Sequence, residues 1–329
     1  MKIKAWIKAL RIRTLPLAVS GIVVGNAVAY YYGAFDSLIF KLSLYTALLL
    51  QILSNLANDY GDFQKGTDNE NRVGPQRALQ SGLIDPKDMK TAMIIIGFFS
   101  FICGIWLVYL GLSDANPMAG LFFVGIGIIC IVAAIFYTVG KNAYGYKGLG
   151  DIMVFLFFGI TAVGGSFYLQ YKEILWQVLL PAGAIGFFSA GVLNMNNMRD
   201  IVNDEACGKI TIPVRLGFAK SKIYHTFLIV SGSLCAIIFQ GLYMPFHFIW
   251  HLVALLIALI HILIVWRIVE EKKYDAQLKV NVLITLLYSV FLSIVLFLHS
   301  FCQNHIFLYS INNEYVNQGK DKEISKTYS

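Results

Sequence analysis

Charge is scarce in this chain. Lysine, arginine, aspartate and glutamate make up 14% of its 329 residues, while 57% are hydrophobic. Soluble domains carry about a quarter charged residues, so one or two soluble domains are excluded. The mean hydropathy of +0.66 points to a polytopic membrane protein. Cysteine is thin as well. Cys103, Cys130, Cys207, Cys235 and Cys302 are odd in number and scattered, four of them in apolar runs. That pattern excludes a disulfide framework and a zinc site, and a Cys/His metal centre has no support. Low-complexity sequence is absent. The net charge of +7 would suit nucleic acid, but the basic residues are dispersed between apolar runs. The positive-inside bias of membrane proteins accounts for them, and no nucleic-acid partner is expected.

Long apolar runs are what the chain does have. A span needs about 20 apolar residues to cross roughly 30 Å of hydrocarbon. Nine can be drawn, near 14–33, 38–60, 89–111, 118–138, 151–170, 175–196, 222–243, 248–268 and 280–302. The N-terminal MKIKAWIKALRIR before the first run resembles a secretory signal. The run is long enough to span and eight more follow, so an uncleaved first helix is expected. With the N-terminus in the cytoplasm, 21 of the 26 lysines and arginines fall on the inner side. The expectation is an all-α bundle of about nine transmembrane helices around a central cavity that opens to the cytoplasmic side. Residues 1–302 form one domain in the lipid bilayer, and 303–329 form a polar, mobile tail.

Two polar stretches break the apolar pattern. The first is NLANDYGDFQKGTDNENRVGPQR, Asn55 to Arg77, at the end of the second span. Asn55, Asp59 and Asp62 stand at i, i+4 and i+7, on one helix face. The second is NMNNMRDIVNDEACGK, Asn194 to Lys209, at the end of the sixth span, with Asn196, Asp200 and Asp204 at i, i+4 and i+8. Either alone reads as a solvated helix end. Found twice, on the same side of the membrane, they read as two carboxylate clusters facing one cavity, with a hint of internal duplication. Carboxylates one turn apart invite a hard cation, and Mg²⁺ takes oxygen ligands shared with substrate phosphates. Asp59, Asp62, Asp200 and Asp204 are the candidate ligands; Asn55, Asn58, Asn196 and Asn197 complete the shell. Nearby Lys65, Arg72, Arg77, Lys141, Arg199 and Lys209 suit phosphate oxygens, which points to a diphosphate. Arg72 and Arg77, beside Asp68 in a glycine-containing loop, are the strongest of these.

The link Tyr137 to Asp151, YTVGKNAYGYKGLGD, places Tyr137 and Lys141 one turn apart and opens the fifth span at Asp151, which as a bland alternative caps that helix. Gly120, Gly125, Gly127, Gly164, Gly165, Gly183 and Gly186 are expected at helix contacts. His247 and His251 are expected at the opposite interface.

Four segments carry a family resemblance: RTLPLAVSGIVVG (Arg13 to Gly25), QILSNLANDYGDFQKGTDNENRVGPQR (Gln51 to Arg77), YGYKGLGDIMVFLFFG (Tyr144 to Gly159) and NMNNMRDIVNDEACGKITIPVRLG (Asn194 to Gly217). Over residues 5–300 the chain resembles the intramembrane aromatic prenyltransferases of the UbiA type, and within them the branch that prenylates 1,4-dihydroxy-2-naphthoate for menaquinone synthesis. Asn58, Asp59 and Asp62 match the N-D-x-x-D-x-x-x-D motif, whose last position here is Gly66, with Asp68 two residues on. Asn196, Asp200 and Asp204 match D-x-x-x-D-x-x-x-D with an amide first. Tyr137 and Lys141 resemble the family's Tyr…Lys pair at the diphosphate.

The resemblance implies an enzyme of the bacterial inner membrane. A polyprenyl diphosphate binds through Mg²⁺ on Asp59, Asp62, Asp200 and Asp204, while Arg72, Arg77 and Lys141 neutralise the leaving diphosphate. The naphthoate ring attacks the allylic cation and loses CO₂; Asp151 and Tyr146 are candidates for orienting it. Two alternatives stand beside this reading. One is another acceptor or donor (4-hydroxybenzoate, homogentisate, or naphthoate with a phytyl donor). The other is a cation-coupled transporter, whose carboxylates belong at mid-membrane rather than at span ends.

Overall fold

Helix boundaries follow from local chemistry. Asp36, Asp85, Asn116 and Thr211 each stand before a helix and accept hydrogen bonds from backbone N–H groups of its first turn. Proline follows at once after Asp85 and Asn116, where its missing N–H costs nothing. The computed structural model describes the backbone of residues 2–244 and 249–327, and side chains of 3–244 and 252–302. The expectation for His247 lies outside the described residues, as do the side chains of His251 and of the tail 303–329, while the backbone of 303–327 is helical.

The chain runs α1 (Lys2–Ala9), a single 3₁₀ turn (Ile12–Thr14), α2 (Leu15–Tyr31), α3 (Ser37–Gln64), α4 (Pro86–Leu112) and α5 (Pro117–Phe136). The fifth span is composite: α6 (Gly150–Val154), a π-helical segment (Phe155–Gly164) and α7 (Gly165–Tyr171). Then come α8 (Leu179–Arg199), the short α9 (Ile201–Ala206), α10 (Ile212–Tyr243), α11 (Ile249–Arg267) and α12 (Tyr274–Thr327). No strand occurs among the described residues. Eight helices among them are long and apolar enough to cross a membrane, and Leu252–Arg267 is a shorter apolar helix where the expected eighth span lies. The all-helical membrane architecture expected from the sequence is what the structure shows.

Position in the bundle follows composition. The small-residue helix α8 is its centre, with 78% of its most apolar stretch buried, while in α5 only 6% is. Small residues let backbones approach. A Cβ on Gly159 of the π segment would lie 2.5 Å from the Ala182 carbonyl oxygen and 2.8 Å from Gly186 Cα on α8. A Cβ on Gly21 of α2 would lie 2.7 Å from the Phe158 carbonyl oxygen. Gly120, Gly125, Gly127 and Gly164, by contrast, have nothing within 4 Å of such a Cβ. The expectation of helix contacts at these four is therefore corrected. Gly127 and Gly164 line a cavity instead.

Candidate active site

The two polar stretches end their helices in the same way. α3 stops at Gln64, Gly66 turns the chain at φ +71°, and the Thr67 N–H returns to the Asp62 carbonyl at 2.9 Å. α9 stops at Ala206, Gly208 turns at φ +70°, and the Lys209 N–H returns to the Asp204 carbonyl at 2.8 Å. This is a left-handed glycine cap with a back-bond to the third-last helical residue. Both stretches thus share D-x-x-x-G. The glycine at 66, where the family motif expects a carboxylate, is the residue that the left-handed turn requires. In the second stretch Asp200 is also a joint: α8 ends before it, its φ is −103°, and the Asp204 N–H bonds its carbonyl at 2.8 Å.

These turns bring the stretches together. Gly74 N–H donates to Asp200 Oδ1 at 3.2 Å, and Arg72 lies between Asp68 and Asp200, 3.2 Å from each. Arg199, fully buried, donates from Nη2 to Asp200 Oδ2 at 2.6 Å, to Asn196 Oδ1 at 2.9 Å, and from Nη1 to Asp275 Oδ1 at 2.7 Å. Asp59 pairs with Arg11 and lies 3.7 Å from Arg77 Nε. Lys209 Nζ stands 3.8 Å from Asp62 Oδ2 and 3.6 Å from Asp204 Oδ1. Tyr146 Oη donates to Asp62 Oδ1 at 2.8 Å and shares a 2.6 Å bond with Thr67 Oγ1, while Lys65 Nζ sits 3.8 Å above its ring.

Electrostatics divide the carboxylates. Burial alone would raise Asp200, but the Arg199 hydrogen bonds and the charges of Arg72, Arg199 and Lys209 hold it at about 2. Burial pushes Asp204 up to about 6 although Lys209 opposes it. Burial and the neighbouring Asp62 push Asp68 up to about 6 against Arg77 and Arg72. Burial, then Arg11 and Arg72, pull Arg77 down to about 9. Burial would lower Lys209, but Asp62 and Asp204 outweigh it and its ammonium is held above the ordinary value.

A cavity of about 990 Å³ opens from this cluster. Its polar end is walled by Arg11, Arg13, Asn58, Asp62, Arg72, Arg77, Asn196, Asp200 and Lys209. Its long remainder is apolar, lined by α2, α4, α5 and the π segment, and reaches Met118 and Ile174 at the opposite side of the bundle.

Of the sequence candidates, Asn58, Asp62, Arg72, Arg77, Tyr137, Asn196, Asp200 and Lys209 reach the cavity wall. Asp59, Asp68, Asp204 and Arg199 stand behind it, in ion pairs. Asn55 also reaches the wall, but its amide is committed to the Leu10 carbonyl at 2.9 Å and Thr14 Oγ1 at 3.2 Å. Asn197 and Asp151 are buried and absent from the lining. Lys141 is exposed and outside the lining. Its pairing with Tyr137 needs one more helical turn, but α5 ends at Phe136 and Gly140 turns the chain at φ +88°. Sequence reasoning missed Arg11, which reads as one more inner-side positive charge, and Asp275, which opens α12 far away in the chain. No group of three His, Cys, Asp or Glu forms a ready metal cage among the described residues.

The model of the UbiA prenyltransferase family matches residues 18–295. The chain is 45% identical to 1,4-dihydroxy-2-naphthoate octaprenyltransferase of Haemophilus influenzae over 240 residues, 72% of this chain and 77% of that one. The enzyme of that name from Escherichia coli is also 45% identical, over 255 residues, 78% of this chain and 82% of that one. Among solved structures, a UbiA homolog from Aeropyrum pernix aligns with a TM-score of 0.66 at 15% identity, covering 85% of this chain and 97% of that one. A UbiA homolog from Archaeoglobus fulgidus bound to DMAPP and Mg²⁺ aligns at 0.60 and 15%, covering 89% and 99%. The chain belongs to the UbiA prenyltransferase family.

Proposed function

We propose that the protein transfers a polyprenyl group from its diphosphate to 1,4-dihydroxy-2-naphthoate, with loss of CO₂ and diphosphate, to give a demethylmenaquinol. One observation carries the reading: a cavity with cations and carboxylates at one end and a long apolar bore behind them. The naphthoate acceptor rests on the relatives' names and their 45% identity. The enzyme sits in the bacterial inner membrane with its N-terminus and polar site on the cytoplasmic side, in keeping with the distribution of lysine and arginine.

The residues fit a hard divalent cation. They offer oxygen donors only, and the buried Asp204 Oδ2 has no hydrogen-bond partner. Lys209 stands between Asp62 and Asp204 as an internal cation. Asp59, Asp62, Asp200 and Asp204 would hold Mg²⁺, which supplies positive charge to the donor's diphosphate. Arg72, Arg77 and Lys209 bind the diphosphate oxygens and stabilise the charge that grows on them as the C–O bond breaks. Arg199 holds Asp200 in place. The apolar walls, Phe157 and Phe158 among them, exclude water from the allylic cation. The naphthoate ring carbon bearing the carboxylate forms the new C–C bond. The bond to that carboxylate then breaks, CO₂ leaves, and its electron pair restores the ring.

Membranes containing the protein, given dihydroxynaphthoate and prenyl diphosphates of several lengths, should yield products with the mass of acceptor plus prenyl minus CO₂. 4-Hydroxybenzoate should yield none. EDTA should stop the reaction and Mg²⁺ restore it. Turnover that ignores chelation, or that prefers 4-hydroxybenzoate, overturns the assignment.

A further inference from the structure

The carboxylates of the site are neutralised in two different ways. Asp59 and Asp200 are hydrogen-bonded by arginines: Arg11 on the first, with Arg77 Nε further off at 3.7 Å, and Arg72 and Arg199 on the second, with the Gly74 N–H added. Guanidinium forks fix a carboxylate through directed hydrogen bonds. Asp62 and Asp204 have, among the described residues, a single ion-pair partner, and it is the same one. Lys209 Nζ lies 3.8 Å from Asp62 Oδ2 and 3.6 Å from Asp204 Oδ1, beyond hydrogen-bond reach of both. The ammonium is a point charge on a flexible stem. It borders the cavity, while Asp204 Oδ2 is buried without a hydrogen-bond partner.

The backbone keeps this lysine where both ends of its reach matter. The left-handed Gly208 folds the chain back so that the Lys209 N–H caps the Asp204 carbonyl at 2.8 Å. The root of the side chain is thereby fixed to the helix that carries Asp204, while its four-carbon stem can turn. In the matching turn of the first stretch the equivalent residue is Thr67, whose hydroxyl is tied to Tyr146. At the position after the glycine, therefore, only the second turn carries a positive charge; in the first turn the lysine is Lys65, before the glycine, over the Tyr146 ring.

We propose that Lys209 is an internal counter-ion for Asp62 and Asp204 that hands these carboxylates to the divalent metal and turns its own charge to the donor's diphosphate. This rests on the metal reading above and adds a consequence. Metal alone must displace a buried ammonium that then has no partner, so it binds weakly. Diphosphate gives that ammonium a partner, so the two ligands bind as a coupled pair, and by linkage each tightens the other equally.

The test uses the purified full chain in detergent, Mn²⁺ as the paramagnetic probe and inorganic pyrophosphate as the anion. Electron paramagnetic resonance titration should show that pyrophosphate tightens Mn²⁺ binding to the wild type by about tenfold or more. Lys209→Met should bind Mn²⁺ more tightly than wild type when pyrophosphate is absent and show a smaller coupling, only the part due to direct attraction between metal and pyrophosphate remaining. Lys209→Arg, which keeps the charge should the methionine variant fail to fold, should retain the coupling. Equal Mn²⁺ affinity in wild type and Lys209→Met with undiminished coupling overturns the counter-ion role. Absence of any Mn²⁺ binding to wild type, with or without pyrophosphate, overturns the metal reading beneath it. Mn²⁺ binding that Asp204→Asn abolishes while Lys209→Met leaves it and its coupling unchanged overturns this proposal alone.

Discussion

Asp200 and Asp204 are one helical turn apart and differ by about four pKa units, at about 2 and about 6. The difference lies in their partners: two arginines and a backbone N–H for one, a distant lysine for the other. Arg199 is therefore as important as the carboxylate it holds. Its side chain is 0% exposed and joins Asp200 to Asp275. Arg199→Gln removes the guanidinium that joins two carboxylates but leaves Asp200 with Arg72 and the Gly74 N–H, and Asp275 with Arg13 and Lys279, so it should cost part of the about 3–5 kcal/mol that breaking a buried pair costs. The thermal midpoint in detergent should fall clearly below wild type; an unchanged midpoint would refute the buried network. Asp59→Asn and Asp200→Asn, which keep the side chain's shape and an oxygen acceptor for the arginines, should still insert while turnover drops on the order of 100-fold or more. Near-wild-type turnover in both would sink the proposed metal roles. Asp68 makes a pH prediction. Burial and Asp62 raise it to about 6, so on the acid side of pH 6 it takes up a proton and stops holding Arg72 and Arg77. The kcat/KM for donor should decline as pH drops through 6, and Asp68→Asn should start lower and show a shallower acid limb, the part due to Asp204, also at about 6, remaining. An acid limb as steep in Asp68→Asn as in wild type would place the titrating group elsewhere.

At the scale of elements, the glycines fall into two kinds that the sequence does not distinguish. Period and composition mark all of them as helix glycines, but only neighbours decide what a side chain would meet. Gly159 has the Ala182 carbonyl 2.5 Å from its would-be Cβ, whereas Gly127 lines the cavity with nothing within 4 Å. Gly159→Leu should fail to accumulate as folded protein. Gly127→Leu should fold as well as wild type, because a helix interior prefers leucine to glycine, and should fill part of the bore. Its turnover with long prenyl donors should then decline more than with geranyl diphosphate, measured as the ratio of the two rates. Equal loss with both donors would mean that Gly127 does not face the prenyl chain. The π segment at Phe155–Gly164 was likewise invisible in the sequence. It reads as an ordinary apolar span, and its altered winding comes with close packing of Gly159 on α8. Lys141 shows the complementary error: an i, i+4 pairing holds only while the helix continues, and this one ends at Phe136.

For the whole molecule, the convergence of two stretches more than a hundred residues apart was legible because topology is arithmetic. Spans of fixed length and a charge bias put both stretches on one side of the membrane, and each ends a helix with its carboxylates on one face. The structure joins them through Arg72, Gly74 and Lys209. What arithmetic could not reach is the contribution of the chain's two ends. Arg11 meets Asp59 and Asp275 meets Arg199 because α2 and α12 pack on the same centre, a fact of three-dimensional packing alone. The protein's own cysteines provide a reporter of its orientation. Cys207 is partly accessible and lies on the loop side of the polar cluster, whereas Ser113 opens the short turn between α4 and α5 at the other end. A chain retaining only Cys207 should resist a membrane-impermeant maleimide in intact cells and react once the membrane is opened. A chain with Ser113→Cys as its only cysteine should react in intact cells. The reverse pattern would put the diphosphate end of the cavity outside the cell, away from any cytosolic supply of a charged donor, and would overturn the orientation together with the enzymatic reading that depends on it.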